Sequence, residues 1–246
     1  MTNSITDHPL DNVIWSALTT RHVAFATGSG LARHYPRDMA PFSAIADTTP
    51  KAYADLAPGL MGHEARLFRP QKEPTPPGWE TLSARPILQM VAERARQQAT
   101  GKVEILPLGP ADIPDMMELV DIGKPGPFSN RTALLGQYVG IRDGAGGSLI
   151  AMAGERFRCQ DHVELSAICV NPAARGRGLG AALIRHLMAA AFERGEIPFL
   201  HVFPDNPAAR LYERCGFHVR AQHWVIWRRP RPGNPASSID GAPTPS

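Results

Sequence analysis

Residues 175–180 read RGRGLG, and they lie between VELSAICVNP (163–172) and AALIRHLMAAAFERG (181–195). The first flanking segment has the pattern of a strand, and the second has the apolar spacing of a helix. A glycine-rich turn that opens a helix leaves backbone N–H groups pointing outward, beside the positive end of the helix dipole. Such a turn favours the binding of a phosphate group. The sequence therefore predicts a phosphate site where this helix begins.

Two common nucleotide-binding motifs do not match this turn. It lacks the Lys-Ser/Thr pair that ends a nucleotide-triphosphate loop. It also lacks the GxGxxG spacing, with an acidic residue about 20 positions later, that marks a dinucleotide fold. What remains is an R-x-x-G-x-G pattern formed by Arg175, Gly178 and Gly180.

Strand and helix patterns alternate from residue 102 onward. The segment RDGAGG (142–147) is typical of a hairpin turn, because its residues tolerate positive φ. Leu179, Leu183, Leu187 and Ala191 form one apolar stripe, and Gly195 is the expected helix stop. The predicted strands are 102–108, 136–141, 148–158, 162–170, 197–203 and 217–227, the last being one strand or a pair of strands. The predicted helices are 110–121, 181–195 and 206–216. The fold class predicted from this order is mixed α/β.

The region before residue 100 has weaker patterns. Residues 11–20 indicate a helix capped by Asp11 or Asn12, while residues 22–27 and 63–70 suggest short strands. The proline-rich stretches 69–78 and 228–246 suggest a connection and a disordered tail. We therefore expect an extra N-terminal α/β unit (1–100), a main domain (102–228) and a tail (229–246).

Bulk composition limits the class of protein. The 246 residues are 43% hydrophobic and carry a formal net charge of +3, much of it near the C-terminal end. This distribution does not indicate a basic patch of the kind that binds nucleic acid. No apolar run approaches the roughly 18 residues of a membrane span. The three cysteines have neither disulfide nor metal spacing, which predicts a cytoplasmic protein without a metal site.

Two segments in the right order resemble a known family. ICVNPAARGRGLGAALI (168–184) resembles the acetyl-CoA-binding motif of the GNAT superfamily of N-acyltransferases, and DNPAARLYERCGF (205–217) resembles that family's second signature. The resemblance covers residues 102–228 and implies a mixed central sheet flanked by helices. GKPGPFSNRT (123–132) and MAGERFR (152–158) further resemble a branch near the glycine N-acyltransferases. The N-terminal unit is interpreted as a degenerate second copy of the same fold.

The resemblance implies acetyl-CoA as cosubstrate, and the residue types suit it. Glycines allow backbone N–H groups to approach a pyrophosphate closely, and arginine side chains can reach phosphates. The strand before the turn would pair its backbone with the pantetheine arm, so a gap is expected between this strand and the next one. The coenzyme-binding candidates are Ile168, Cys169, Val170, Arg175, Gly176, Arg177, Gly178, Leu179, Gly180 and Asn206.

Two residues are candidates for the chemistry. Strand alternation puts Glu164, Ser166 and Ile168 on one face, so Glu164 is either a general base or the ion-pair partner of Arg156 or Arg158. Tyr212 matches the family's helix tyrosine, which returns a proton to the departing thiolate, although such a residue can also serve packing alone. Glu155 is a weaker base candidate. Asn206 caps the short helix, with or without a contact to the coenzyme.

The expected function is transfer of an acetyl group from acetyl-CoA to a primary amine of a small molecule or peptide, directly within a ternary complex. A different class, an acetyl-CoA-binding sensor or interaction module without turnover, needs the glycine turn but neither Glu164 nor Tyr212. The acceptor pocket is expected around residues 125–130, together with the N-terminal unit. Nothing in the sequence indicates an oligomeric state.

Overall fold

The computed structural model describes residues 8–93, 103–144 and 146–232. Within these ranges the strands are β1 (Ala32–His34), β2 (Ser43–Ile45), β3 (Ala65–Arg69), β4 (Trp79–Ala92), β5 (Leu106–Pro107), β6 (Tyr138–Arg142), β7 (Leu149–Cys159), β8 (His162–Val170), β9 (Ile197–Val202) and β10 (Phe217–Pro230). The α-helices are α1 (Val13–Thr19), α2 (Pro50–Gly59), α3 (Ile113–Gly123), α4 (Leu179–Glu193) and α5 (Ala209–Arg214). Short 3₁₀ turns join several of these elements.

A central sheet organises the described residues. Its strand order is β3-β10-β4-β9-β8-β7-β6-β5, and β1 and β2 form a separate pair. Strands β8 and β9 run parallel, with α4 as the connection between them, and the other pairs described here are antiparallel. The predicted mixed α/β sheet flanked by helices is therefore confirmed.

Helices cover the sheet through separate apolar clusters. The buried stripe of α4 packs with α5 and with residues of β6, β7, β8 and β9. Helix α3 packs on β7 and β8 in another cluster, and α1 packs against β7 and β3 in a third. Burial of these stripes is the main source of helix stability.

The main-domain elements from β6 to β10 were predicted correctly, but some shorter predictions were wrong. Residues 22–27 do not form the expected strand: Val23–Phe25 is a 3₁₀ turn, because the N–H groups of His22 and Phe25 bond to Ala17 and His22 carbonyl oxygens within the local turn. Of the predicted strand 102–108, residue 102 lies outside the described residues, and among residues 103–108 only Leu106–Pro107 pair as a strand.

Strand β4 was missed from the sequence. It pairs with β10 along residues 79–92 but with β9 only along residues 88–91. Pro86 lies in the part paired with β10 alone, where a missing backbone donor is tolerated. Strands from both sides of the expected domain boundary thus share one sheet. The boundary itself falls within residues 94–102, outside the described residues, and the three-part division stays a prediction.

Residues 229 and 230, predicted as the start of a disordered tail, lie in strand β10 instead. Residues 228–230 belong to β10 and pair with residues 79–81. The reason is Arg228, which is completely buried and donates hydrogen bonds to the carbonyl oxygens of Glu73 and Pro74. A guanidinium held in this way fixes the strand end. Residues 233–246 of the predicted tail lie outside the described residues.

Candidate active site

A gap opens between β8 and β9. The two strands pair only over residues 162–164 and 197–199. Beyond this point two cavities lie along the β8 edge, one of about 610 Å³ and one of about 210 Å³. After the roles expected from the sequence, the larger is called the coenzyme cavity below, and the smaller the acceptor cavity. The gap between these strands was expected from the sequence, and the pairing confirms it.

A β-bulge in β8 changes which side chains share a face. The register slips by one residue between the pairs Gly154–Ser166 and Met152–Cys169, and Ala167 has a φ of +52°. Leu165 and Ile168 consequently pack in the same cluster, that of α4. The prediction that Glu164, Ser166 and Ile168 share one face is therefore wrong, because a bulge inserts an extra residue into the alternation.

The glycine turn has the geometry expected of an anion site. Gly176 and Gly178 have φ values of +79° and +76°, a region that favours glycine, and Gly178 immediately precedes α4. Gly180 has ordinary backbone, so its φ does not require glycine. The N–H groups of residues 179–181 open α4 and have no acceptor within the helix, and these residues line the coenzyme cavity.

Most of the predicted coenzyme-binding residues line one cavity. Those that line the coenzyme cavity are Ile168, Cys169, Val170, Arg175, Gly176, Gly178, Leu179, Gly180 and Asn206. Arg177 is exposed and is not among its lining residues. Arg214, which follows Tyr212 in the second signature, does line it and was missed. Asn206 accepts a hydrogen bond from the Ala208 N–H just before α5.

Replacing Gly178 with alanine should weaken acetyl-CoA binding about tenfold. A non-glycine residue at this φ costs roughly 1–2 kcal/mol, and the turn would relieve that strain by moving the N–H groups that open α4. Calorimetric titration with acetyl-CoA measures the change. Gly62→Ala is the matched control, since Gly62 has a similar φ of +82° with no atom within 4 Å of an added Cβ and lines neither cavity. An unchanged Kd in Gly178→Ala would contradict the assignment of this turn.

Glu164 lies at the acceptor cavity in a buried hydrogen-bonded group. Its carboxylate receives two hydrogen bonds of 2.7 Å from Arg156 and one of 2.7 Å from His201 Nδ1. The pairing with Arg156 is one of the two alternatives raised from the sequence. Arg158 instead pairs with Glu196. Burial alone would raise the pKa of Glu164, but the Arg156 charge and the hydrogen bonds from His201 and Arg156 lower it to about 2.

Glu155, the weaker base candidate, forms hydrogen bonds outside both cavities. Its carboxylate pairs with Arg194 at 2.5 Å and accepts the Gln137 N–H at 3.2 Å. It is buried and lines neither cavity. The structure therefore provides no route from Glu155 to a substrate in these cavities.

Tyr212 lies where the two cavities meet. Tyr212, Ile168 and Asn206 line both of them. Tyr212 is 9% exposed, and burial raises the pKa of its phenol to about 12, helped by nearby Cys215. The phenol is thus protonated throughout the neutral range and can donate a hydrogen bond at the junction.

Several residues of the acceptor cavity could not be identified from the sequence. Phe42, Arg66 and Phe68 come from the N-terminal region, and Trp227 comes from β10. Residues 125–127 also line it, in the loop where an acceptor pocket was expected. No sequence pattern marked Phe42, Arg66 and Phe68 as cavity residues, since aromatic and basic residues are spread along the N-terminal region. The sheet order that brings them to the cavity depends on strand β4, which was missed.

Known proteins resemble this chain in both sequence and fold. The sequence pattern of the acetyltransferase (GNAT) family matches residues 116–217. A solved structure from Novosphingobium aromaticivorans DSM 12444, assigned to the GNAT family of acetyltransferases, is 37% identical, with a TM-score of 0.82. That alignment covers 92% of this chain and 100% of the other.

Two further relatives are more distant or shorter in their match. A GCN5-related N-acetyltransferase from Kribbella flavida shares the fold at 18% identity, with a TM-score of 0.60 over 90% of this chain and 96% of the other. The N-alpha-acetyltransferase RimI of Mycobacterium tuberculosis (strain ATCC 25618 / H37Rv) is 40% identical over 84 residues, 32% of this chain. The chain matches 51% of that relative's length. The match along the full length of the Novosphingobium structure shows that this chain belongs to the GNAT family of acetyltransferases.

Proposed function

We propose that this protein transfers an acetyl group from acetyl-CoA to the neutral form of a primary amine, in one step within a ternary complex. The observation that carries the proposal is the meeting of the two cavities at Ile168, Asn206 and Tyr212, in the gap between β8 and β9. A donor held along one cavity and an amine held in the other would face each other at this junction. Proximity of this kind supplies a large part of the rate enhancement in group transfer.

The residues present fit acetyl-CoA, whose thioester supplies an activated acetyl group when bound. The N–H groups that open α4 would hold the pyrophosphate, and Arg175 would add its charge. The edge of β8 from Ile168 to Val170 lines the same cavity and is not paired with β9, so it would bond to the pantetheine amides. Arg177, exposed beside the turn, would reach the phosphates from outside the cavity.

Glu164 would hold the acceptor amine. With a pKa of about 2, its carboxylate is a weak proton acceptor, so the general-base role is reduced to hydrogen bonding. Oε2 receives a bond from Arg156 Nε and keeps a second lone pair, which an amine N–H or a water can use. The amine's own proton would then leave to solvent through water before transfer.

This arrangement favours an amine of low pKa. An amine of pKa near 8 costs only about 1 kcal/mol to deprotonate at pH 7, whereas a lysine-like amine of pKa about 10.4 costs roughly 4.6 kcal/mol. The relative from M. tuberculosis is named an N-alpha-acetyltransferase, which agrees with an α-amino acceptor. We therefore propose α-amines as the preferred acceptors.

The body of the acceptor would be apolar. Phe42, Phe68 and Trp227 line the acceptor cavity, and its arginines are already paired: Arg66 with Glu64, and Arg156 with Glu164. Arg66 also stacks over the Trp227 ring at 4.2 Å. A cavity with compensated charges and aromatic walls favours an apolar or aromatic group beside the amine.

Phe68→Ala should raise the acceptor KM about tenfold for an aromatic α-amine while leaving the Kd of acetyl-CoA unchanged. Removal of the ring deletes apolar contact area in the acceptor cavity, whereas Phe68 does not line the coenzyme cavity. Steady-state kinetics with phenylalanine amide and glycine amide would measure the effect. The exposed variant Leu82→Ala is the control. An equal KM increase for glycine amide would contradict recognition of the aromatic body.

Finer assignments also stay proposals. A branch near the glycine N-acyltransferases is proposed from the resemblance of residues 123–132 and 152–158. Of the N-terminal unit, Phe42, Arg66, Phe68 and Ile87 would supply one wall of the acceptor cavity. A cytoplasmic location is proposed from the three cysteines, which are buried and unpaired. None of the helices within the described ranges has the length and hydropathy of a membrane-spanning segment.

Titration calorimetry with acetyl-CoA, combined with a thiol-release assay on a panel of α-amines and alkylamines, tests the function. Binding with thiol release for an α-amine supports the proposal. Binding without release for any amine would favour the sensor, which needs the coenzyme cavity alone. Absence of binding would overturn both.

A further inference from the structure

Gln89 of β4 lies beside the proposed active site and is completely buried. Its side-chain oxygen accepts a hydrogen bond of 2.8 Å from Arg220 Nη1, and Arg220 Nη2 is held by Asp11 at 2.7 Å. A guanidinium has donors only, so the amide oxygen of Gln89 must face Arg220. The amide NH₂ group therefore faces the opposite side, toward His201.

The NH₂ group of Gln89 has two hydrogens to donate. One is donated to the Leu10 carbonyl oxygen, which can only accept and lies 2.9 Å from the amide nitrogen. The amide nitrogen lies 3.1 Å from His201 Nε2 and 3.4 Å from His223 Nδ1, so the second hydrogen is donated to His201. His201 Nε2 must then be an acceptor without a proton. The proton of the neutral ring sits on Nδ1, which donates to Glu164 Oε1 at 2.7 Å.

We propose that Gln89 is a positioning residue that holds His201 neutral, with its proton on Nδ1, and so preserves the negative charge of Glu164 for the acceptor amine. This inference rests on the proposed function. If His201 were an imidazolium, its Nε2–H would point at the NH₂ group of Gln89. That contact would place two hydrogen-bond donors against each other. An imidazolium would also give Glu164, Arg156 and His201 a net charge of +1, and such a group would repel an incoming ammonium.

The groups around His201 come from several elements. Glu164 of β8 meets Nδ1 together with Arg156 of β7, and His223 of β10 lies across Gln89. Of the charged groups near His223, Arg220 of β10 pairs with Asp11 ahead of α1, and Arg69 of β3 pairs with Glu73. Phe68 and Phe199 pack on the His201 ring and provide no acceptor for a second proton. These outer charges compensate one another, and the direct contact at Nε2 is that of Gln89.

The experiment compares Gln89→Glu with Gln89→Met. A carboxylate at this position accepts the Nε2–H of an imidazolium, so Gln89→Glu should move the acid limb of kcat/KM to higher pH by about one unit or more. Gln89→Met, similar in size but without a charge, should move it by less. The folded fraction of each variant is followed by circular dichroism at every pH. Equal acid limbs in the wild type and Gln89→Glu would show a merely structural role.

A second measurement does not depend on turnover or on the folding of either Gln89 variant. Nitrogen-15 NMR of the wild type at pH 7, with the His201 signals assigned by their loss in His201→Gln, reports which ring nitrogen carries the proton. Protonated Nδ1 with bare Nε2 supports the proposal, and a proton on Nε2 overturns it. If no amine is acetylated, the proposed function fails while this spectrum still decides the state of His201.

Discussion

Replacing Tyr212 with phenylalanine should lower kcat about 100-fold while changing the Kd of acetyl-CoA less than twofold. Tyr212 lines both cavities at their junction, where the thiolate would leave in the proposed transfer. Loss of one donor aimed at developing negative charge typically costs about 10²–10³ in kcat. Phenylalanine keeps the ring packing against Phe217, so binding and folding should be preserved. Thiol release under saturating acetyl-CoA, together with calorimetry, measures both quantities.

The raised pKa of Tyr212 shapes this expectation. A phenol of pKa about 12 is a poor acid toward a thiolate of pKa about 8.5, and complete proton transfer would cost roughly 5 kcal/mol. The favoured role is therefore donation of a hydrogen bond as charge develops on sulfur. The loss in kcat should then be the same at pH 7 and pH 9, since the phenol is protonated at both.

Tyr138 offers a matched control. It is also buried, and its hydroxyl has no hydrogen-bond partner among the described residues, yet it lines neither cavity. Tyr138→Phe removes the same atom and should leave kcat unchanged. Equal kcat in Tyr212→Phe and wild type would remove the donor role, and a parallel rise in Kd would make Tyr212 a binding residue.

The sequence was informative where one local pattern determines the structure. Glycines 176 and 178 are required by positive φ, and strand β8 was predicted with its observed bounds. The coenzyme side of the site follows from these two elements, which are neighbours along the chain. That is why nearly all its predicted residues line one cavity.

The acceptor side depends on long-range pairing that no local pattern shows. The bulge at Ala167 carries no glycine or turn signature, yet it reverses the faces of β8 beyond it. A second bulge, in β7 between Glu155 and Arg158, separates Arg156 from Arg158, so these arginines reach different carboxylates. Alternation alone could not choose between them as the partner of Glu164.

Lowering the pH from 7 to 5 should reduce the free energy of unfolding by several kcal/mol. Burial lowers the pKa of His22, His34 and His223 from 6.5 to about 4. The charge of nearby Arg158 contributes to the lowered pKa of His22. Between pH 6.5 and 4 the unfolded chain therefore binds more protons than the folded one, and stability falls as pH falls.

The size of this effect follows from how far the pH falls below the unfolded histidine pKa of 6.5. A pH of 5 is about 1.5 units below the unfolded pKa of 6.5, so each of the three histidines has then lost about 2 kcal/mol of stabilisation, at 1.36 kcal/mol per unit. The typical free energy of unfolding is about 5–15 kcal/mol in total. Below pH 4.5 the lowered pKa of Glu164 extends the loss in the same direction. Urea unfolding at pH 7, 6 and 5 measures the slope. His34→Gln should reduce the slope by about a third, because its Nε2 is buried without a partner among the described residues, while exposed His63→Gln should leave it unchanged. A flat profile between pH 7 and 5 would mean that these rings can be charged inside the fold.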